Sequence, residues 1–301
     1  MRKKVFLVIG FVLLAAILWY LLIKPYDFLA TFKVKASPGT INQTIKLWAS
    51  TLEDSEVIKQ SELTNFEHRI TLNDSAFVYN WKIEKVDDSL SRVNVSINDS
   101  KHSLMNRLSM PFLDTDFEKR SEKTILEFHE KLKEHLDNFK VSMVGIDSIP
   151  SSYCAYVSLK STQIEKAAKM MRNYPLLDGL VANQNIKANG RPFIEITDWN
   201  MAKDSIAYNF CYPIIKSDSL PEHKIIKYKQ FEGGKGLKAI YNGNYITSDR
   251  AWYSLRNEAQ KLNIKITGNP VEIFHSNPNM GNNEIEWVAE IYMPLISMKK
   301  E

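Results

Sequence analysis

The stretch Asn-Ile-Lys-Ala-Asn-Gly-Arg-Pro, Asn185 to Pro192, returns as Asn-Ile-Lys-Ile-Thr-Gly-Asn-Pro at Asn263 to Pro270. Asn, Ile, Lys, Gly and Pro recur at the same spacing. Each copy follows apolar residues at helical period and precedes a β-rich run closed by a proline, Pro213 or Pro294. One order of elements is therefore predicted twice. The first copy reads as strand Tyr153 to Lys160, a helix opened by Thr162-x-x-Glu165, then strands Phe193 to Trp199 and Ser205 to Ile214. The second reads as strand Gly236 to Tyr241, helix Ser248 to Leu262, then strands Val271 to His275 and Glu286 to Leu295. Two β-α-β-β units imply a pseudo-twofold domain with a cleft between its halves, and a cleft can hold a ligand.

The N-terminus obeys a different rule. Arg2, Lys3 and Lys4 precede an uncharged run, Val5 to Ile23, which Lys24 and Pro25 close. As a helix that run is roughly 28 Å long, about one hydrocarbon thickness. It ends Trp19-Tyr20-Leu-Leu-Ile-Lys-Pro, an aromatic pair of interfacial type with no small-x-small exit for a signal peptidase. An uncleaved transmembrane anchor over residues 1–25 is expected, contacting the membrane through residues 5–23. The three leading cations favour an N-inside orientation. The bulk would then lie outside the cytoplasm, on the periplasmic side of a bacterial inner membrane.

Composition narrows the partners. A formal charge of +4 over 301 residues, with basic and acidic groups intermixed, offers no stripe for nucleic acid, and none is expected. Cys154 and Cys211 both fall in strand-like segments, where a disulfide and two small buried hydrophobes are equally compatible with the pattern.

After the anchor, a strand over Asp27 to Lys35 leads to a helix begun by Ser37-Pro-Gly. Strand-like runs follow at about 57–72, 76–85 and 91–98. A long helix then opens at the capping box Thr115-x-x-Glu118, with Phe117, Ile125, Phe128, Leu132, Leu136 and Phe139 at helical spacing. This order, with the opening Val34-Lys-Ala-Ser-Pro-Gly-Thr-Ile, resembles the START-like (SRPBCC, polyketide-cyclase-like) helix-grip family. The resemblance implies a START-like domain over residues 26–143 and, by family habit, an apolar cavity. A linker is expected at 144–151, from Gly145 and Pro150.

The rest of the chain carries a more specific pattern. Gly233-Gly234 and Tyr241-Asn-Gly-Asn-Tyr245 precede a helix with Ala251-Trp252. Gly268-Asn-Pro270 follows, and Glu286-Trp-Val-Ala-Glu290-Ile-Tyr292-Met-Pro294 ends the series. This resembles the GyrI-like small-molecule-binding family, also called the AraC-type effector-binding domain, over residues 152–297. The whole chain is thus expected to be α+β: a transmembrane helix, a helix-grip domain, and a duplicated effector-binding domain.

Strand alternation puts Glu290 and Tyr292 on one face and Ala289, Ile291 and Met293 on the other. A carboxylate on a largely apolar sheet needs a partner, and an organic cation among aromatic rings would serve. The candidate ligand-binding residues are Glu290, Tyr292, Tyr245, Trp252, Tyr208 and Tyr156. For Trp252, core packing is an equal reading. Glu272 is the alternative carboxylate, expected to be solvated. With Pro213 aligned on Pro294, Asn209 stands where the second copy has Glu290, which favours a single asymmetric site.

No phosphate loop, Walker motif or nucleophile elbow is present, and no cofactor or metal is expected. The expected function is a membrane-anchored protein holding a hydrophobic or cationic small molecule. The alternatives are a hydrolase using Glu290 as general base with Tyr245 beside it, and an interaction module without an open pocket.

Overall fold

The computed structural model describes residues 2–72, 75–278, 281 and 283–296; the expected bounds at residues 1 and 297 lie outside these. The chain has a mixed α/β fold with two antiparallel sheets, and it divides into two compact units, residues 1–133 and 134–301.

The first unit begins with helix α1 (Arg2–Leu18), continued by a π-helical turn at Trp19–Ile23. Among the described residues, Lys3–Ile23 is the one helix long and apolar enough to cross a bilayer. Five strands follow: β1 (Phe28–Val34), β2 (Ser55–Glu62), β3 (Asn65–Leu72), β4 (Ser75–Lys85) and β5 (Ser91–Asp99). They lie in the order β1-β5-β4-β3-β2, so the run expected at 57–72 is a hairpin and not one strand. Alternate residues of β4 and β5 are buried, which leaves one sheet face polar and packs the other beneath helices. Helix α2 (Pro38–Ala49) is capped by the Ser37 hydroxyl, which accepts from Thr40 N at 3.2 Å. Helix α3 (Ser103–Ser109) is short, and α4 (Asp116–Asp137) opens with Thr115 Oγ1 accepting from Glu118 N at 3.1 Å. Phe128 of α4 sits at the centre of the core, 5.0 Å from the Trp81 ring and 5.3 Å from the Trp48 ring.

The second unit is built on an eight-stranded sheet. Its strands are β6 (Lys140–Ile149), β7 (Ser152–Ser161), β8 (Phe193–Asn200), β9 (Ser205–Pro213), β10 (Lys227–Phe231), β11 (Gly234–Asn242), β12 (Val271–Phe274) and β13 (Val288–Pro294). Their order across the sheet is β10-β7-β9-β8-β12-β13-β11-β6. The linker expected at 144–151 is corrected here. Residues to Ile149 belong to β6, which pairs with β11 from Asn242↔Lys140 to Gly234↔Ile149. Gly145, taken as a linker signal, accommodates a positive φ of 110° within this edge strand.

Helices α5 (Lys166–Asn183) and α6 (Arg250–Lys261) cover one face of this sheet. Thr162 and Glu165 form the capping box ahead of α5: Thr162 N donates to Glu165 Oε2 at 3.2 Å and Glu165 N to Thr162 Oγ1 at 3.4 Å.

The two octapeptides adopt matching backbones. Asn185 and Asn263 have positive φ, 57° and 54°, each just past a helix end. Ile186 N donates to Val181 O, and Ile264 N to Ala259 O. Asn189 N and Thr267 N donate to the carbonyls of Pro213 and Pro294, each at 2.9 Å. Within the sheet, the strand groups β7-β9-β8 and β12-β13-β11 pair along β8 and β12, through Val271↔Glu195, Glu272↔Ile194 and Ile273↔Phe193.

Candidate functional site

Strand β13 places Glu290 and Tyr292 on the sheet face away from α5 and α6, while Ala289, Ile291 and Met293 enter the core beneath the helices. The Glu290 carboxylate is three-quarters enclosed. Tyr292 Oη donates to its Oε2 at 2.7 Å, Lys238 Nζ lies 3.2 Å from Oε1, and His275 Nε2 lies 3.6 Å away. Lys238 also donates to Asp147 at 2.9 Å and lies over the Tyr292 ring at 5.1 Å.

These contacts set the titration of the cluster. Burial pushes Glu290 upward, but the Tyr292 hydroxyl and Lys238 outweigh it and hold the carboxyl below the ordinary value. Burial, with the adjacent Glu290 charge, pushes Tyr292 up to about 12. Burial and the Arg191 cation lower His275.

Two cavities lie beside this cluster. One, of about 250 Å³, is lined by Glu290, His275, Arg191, Phe193, Phe231 and Ile273 among others. The second, of about 210 Å³, is lined by Met170, Met171, Tyr174, Phe210, Tyr245 and Phe274. Both include Gly190, Arg191 and His275. Arg191 donates to the His275 carbonyl at 2.7 Å, which closes the β8–β12 seam at this point. At Gly190 the φ is 132°, a backbone conformation that residues with a Cβ rarely adopt.

The six expected residues do not share one cleft. Glu290, Tyr292 and Tyr156 occupy the sheet face away from the helices, where Tyr292 and Tyr156 join a second buried cluster with Phe193 and Val271, and Lys229 lies over the Tyr156 ring at 5.0 Å. Tyr245, Trp252 and Tyr208 occupy the helix-covered face. Tyr245 lines the second cavity, where its hydroxyl donates to Val288 O at 2.7 Å and accepts from Ser276 N at 3.0 Å. Tyr208 is buried and donates to Lys166 O at 3.2 Å. Strand alternation and register assign Glu290, Tyr292, Tyr156 and Tyr208 to their faces, whereas Tyr245, in the short helical turn Tyr245–Thr247, and Trp252, on α6, belong to the layer that covers the sheet.

Glu272 corrects a second expectation. It is fully buried and not solvated: both its oxygens accept from Lys166 Nζ, at 2.9 and 2.8 Å, and from Ser248 Oγ, at 3.1 and 2.9 Å. Trp252 Nε1 also donates to it, so Trp252 is part of this core network. Burial raises Glu272 above the ordinary carboxylate range, and Lys166 opposes the shift.

Asn209 occupies the face away from the helices in the first copy. Its amide donates to Glu195 at 2.9 Å, and Glu195 is paired with Lys229. A carboxylate–lysine pair is thus present there too, on a neighbouring strand. Residues missed from the sequence are Lys238, His275, Arg191, Met170 and Phe274. Of these, Arg191 had a signal, its place between the Gly and Pro of the repeated octapeptide. Among the described residues, no three His, Cys, Asp or Glu side chains converge as metal ligands would.

Residues 157–296 match the family described as GyrI-like small molecule binding domain. No curated protein matches the chain. Among solved structures, the EcmrR C-terminal domain is 14% identical, with 53% of this chain and 99% of that chain covered and a TM-score of 0.42. EcmrR in a DNA-bound transcription complex is 15% identical, with 66% and 73% covered and a TM-score of 0.45. SAV2435 bound to tetraphenylphosphonium is 11% identical, with 54% and 95% covered and a TM-score of 0.37. Residues 157–296 of this chain are a GyrI-like small-molecule-binding domain.

Proposed function

We propose that the chain is a membrane-anchored protein that holds a hydrophobic small molecule in its C-terminal domain. The carrying observation is the pair of cavities that meet at Arg191 and His275, beside the seam between the two strand groups. Met170, Met171, Tyr174 and Phe274 offer an adaptable apolar and aromatic lining, while Arg191 and His275 can orient a polar end. Open cavities of this size favour ligand binding over an interaction module without a pocket. Glu290 already has Lys238 as its counter-ion, so a neutral hydrophobic ligand suits the site better than a cationic one. The same pairing makes Glu290 a weak general base near neutral pH, which favours binding over hydrolysis.

Three larger readings accompany this one. The matching octapeptide backbones and the order β7-β9-β8 and β12-β13-β11 support an internal duplication. The first unit, a curled meander with α4 over it and β1 beside β5, supports a shortened START-like domain. Lys3–Ile23 serves as a membrane span, with Arg2, Lys3 and Lys4 on the cytoplasmic side and the bulk of the chain outside.

The test is binding by the detergent-solubilised full chain to neutral amphiphiles and to lipophilic cations such as tetraphenylphosphonium. Met171→Glu sets a charge in the apolar cavity and should weaken neutral ligands about tenfold or more, about 1.4 kcal/mol. Glu290→Gln should change neutral-ligand affinity little. Loss of cation binding in Glu290→Gln, with no neutral ligand detected, would instead establish the cationic reading.

A further inference from the structure

Helix α3 and the turn after it bury the wrong side for a soluble protein. Its polar residues face inward: Ser103 Oγ donates to Asp27 Oδ1 at 2.6 Å, Arg107 Nε to the same oxygen at 2.7 Å, and Asn106 Nδ2 to Asp99 at 3.4 Å. Asp27, Asn106 and Arg107 are all buried. Its apolar residues face outward. Leu104, Met105 and Leu108 are 52%, 65% and 47% exposed, and in the following turn Phe112 and Leu113 reach 85% and 66%. Phe112 is the most exposed large hydrophobic side chain among the described residues. Clustered exposure of this kind marks a contact surface, unlike single scattered hydrophobes.

The position of α3 identifies what covers it. Arg107 Nη1 donates to the carbonyl of Leu21 at 3.2 Å, in the last turn of the apolar helix that ends at Ile23. The salt bridge from Arg107 to Asp27 fixes this arrangement from the other side. The Arg107 guanidinium, and through it α3, is therefore tethered close to where Lys3–Ile23 would leave the hydrocarbon: Leu21 lies about 3 Å along the helix axis from Ile23. Trp19, half exposed on the same last turn, is of the residue type that settles at membrane interfaces.

We propose that Leu104, Met105, Leu108, Phe112 and Leu113 form a second membrane contact, in which α3 and its turn lie in the interface beside the span. This rests on the reading of Lys3–Ile23 as a membrane span. A helix with its apolar face in the interface sits about 5–10 Å into the boundary between headgroups and acyl chains. The apolar surface of α3 is then continuous with that of α1. The buried Arg107–Asp27 pair holds the first unit against the bilayer and restricts its freedom about the anchor.

The experiment uses the full chain in vesicles of phosphatidylcholine and phosphatidylglycerol. An environment-sensitive fluorophore is attached at Phe112→Cys, at Leu14→Cys in the span, and at Ser89→Cys in the turn between β4 and β5, at the far end of β5 from α3. The unsubstituted chain, treated alike, sets the background from the buried Cys154 and Cys211. Quenching is read with lipids spin-labelled near the headgroup or deep in the acyl chain. The Phe112 probe should be blue-shifted and lose most of its emission to the shallow label, the Leu14 probe to the deep label, and the Ser89 probe to neither. A quenched Leu14 probe with an unquenched Phe112 probe overturns the proposal and leaves the anchor standing. A Phe112 probe that is blue-shifted yet unquenched also overturns it, because protein would then cover the face. An unquenched Leu14 probe removes the anchor reading and this proposal together.

Discussion

Lys166 and Glu272, 106 positions apart in sequence, form an ion pair with no solvent exposure, Nζ to Oε2 at 2.8 Å. The lysine belongs to the helix of the first copy and the glutamate to the seam strand of the second. The pair joins the two halves through the core, while β8 and β12 join them through the sheet. Ser248 and Trp252 fill the remaining hydrogen-bonding capacity of the carboxylate.

Removing one partner should cost far more than removing both. Lys166→Met leaves an uncompensated buried carboxylate and is expected to destabilise the protein by about 3–5 kcal/mol. Adding Glu272→Leu should recover much of that loss. Denaturant unfolding of the two variants measures the difference; equal stability of the single and double variants would contradict it.

The octapeptide asparagines should behave alike. Asn185→Ala and Asn263→Ala each force a Cβ-bearing residue without a local side-chain hydrogen bond into the left-handed region. Each should cost about 1 kcal/mol. Glycine at either position should restore or slightly exceed the original stability. A melting-temperature series checks both sites, and a cost at only one would show that their backbones are not equivalent in solution.

His68 should make the first unit acid-sensitive. It is buried, accepts or donates a 2.7 Å hydrogen bond with Ser55, and is lowered by burial from its ordinary 6.5 to about 4. Because the folded value lies below the unfolded one, the unfolded chain binds more protons between these limits. Stability should therefore fall as pH drops from 6.5 towards 4, by up to about 3 kcal/mol. His68→Gln should flatten this part of the stability profile measured by denaturant titration.

Glu290 should act in a lower window. Its folded pKa lies below the ordinary 4.5, so its contribution is fully present above that value and lost as pH falls through the folded one. Glu290→Gln should remove this loss and leave the His68 window unchanged. Stability curves of the two variants between neutrality and strong acid separate the effects.

Much of the fold was legible because it depends on local chemistry. The capping pairs Thr115–Glu118 and Thr162–Glu165 form as their spacing predicts. The faces of β13 follow its alternation, so Glu290 and Tyr292 are neighbours as expected. The linker was misread because Gly145 signals positive φ, which an edge strand accommodates as well as a loop does. The ion-pair partner of Glu290 was missed because the Lys238↔Tyr292 pairing is set by strand register, which no local pattern encodes.

The sequence by itself determined the apolar helix at Lys3–Ile23, the doubled octapeptide turns and the polarity of each strand face, since these follow from hydropathy, glycine and asparagine backbone freedom, and period. Only the tertiary structure decided that Glu272 and Trp252 belong to the core and that Glu290 lines a cavity. It alone decided, too, that α3 turns its apolar side outward. The physical reason is that a side chain's environment depends on partners distant in sequence. Lys166 makes burial of Glu272 tolerable, and Asp27 holds Arg107 inward, so that Phe112 faces out.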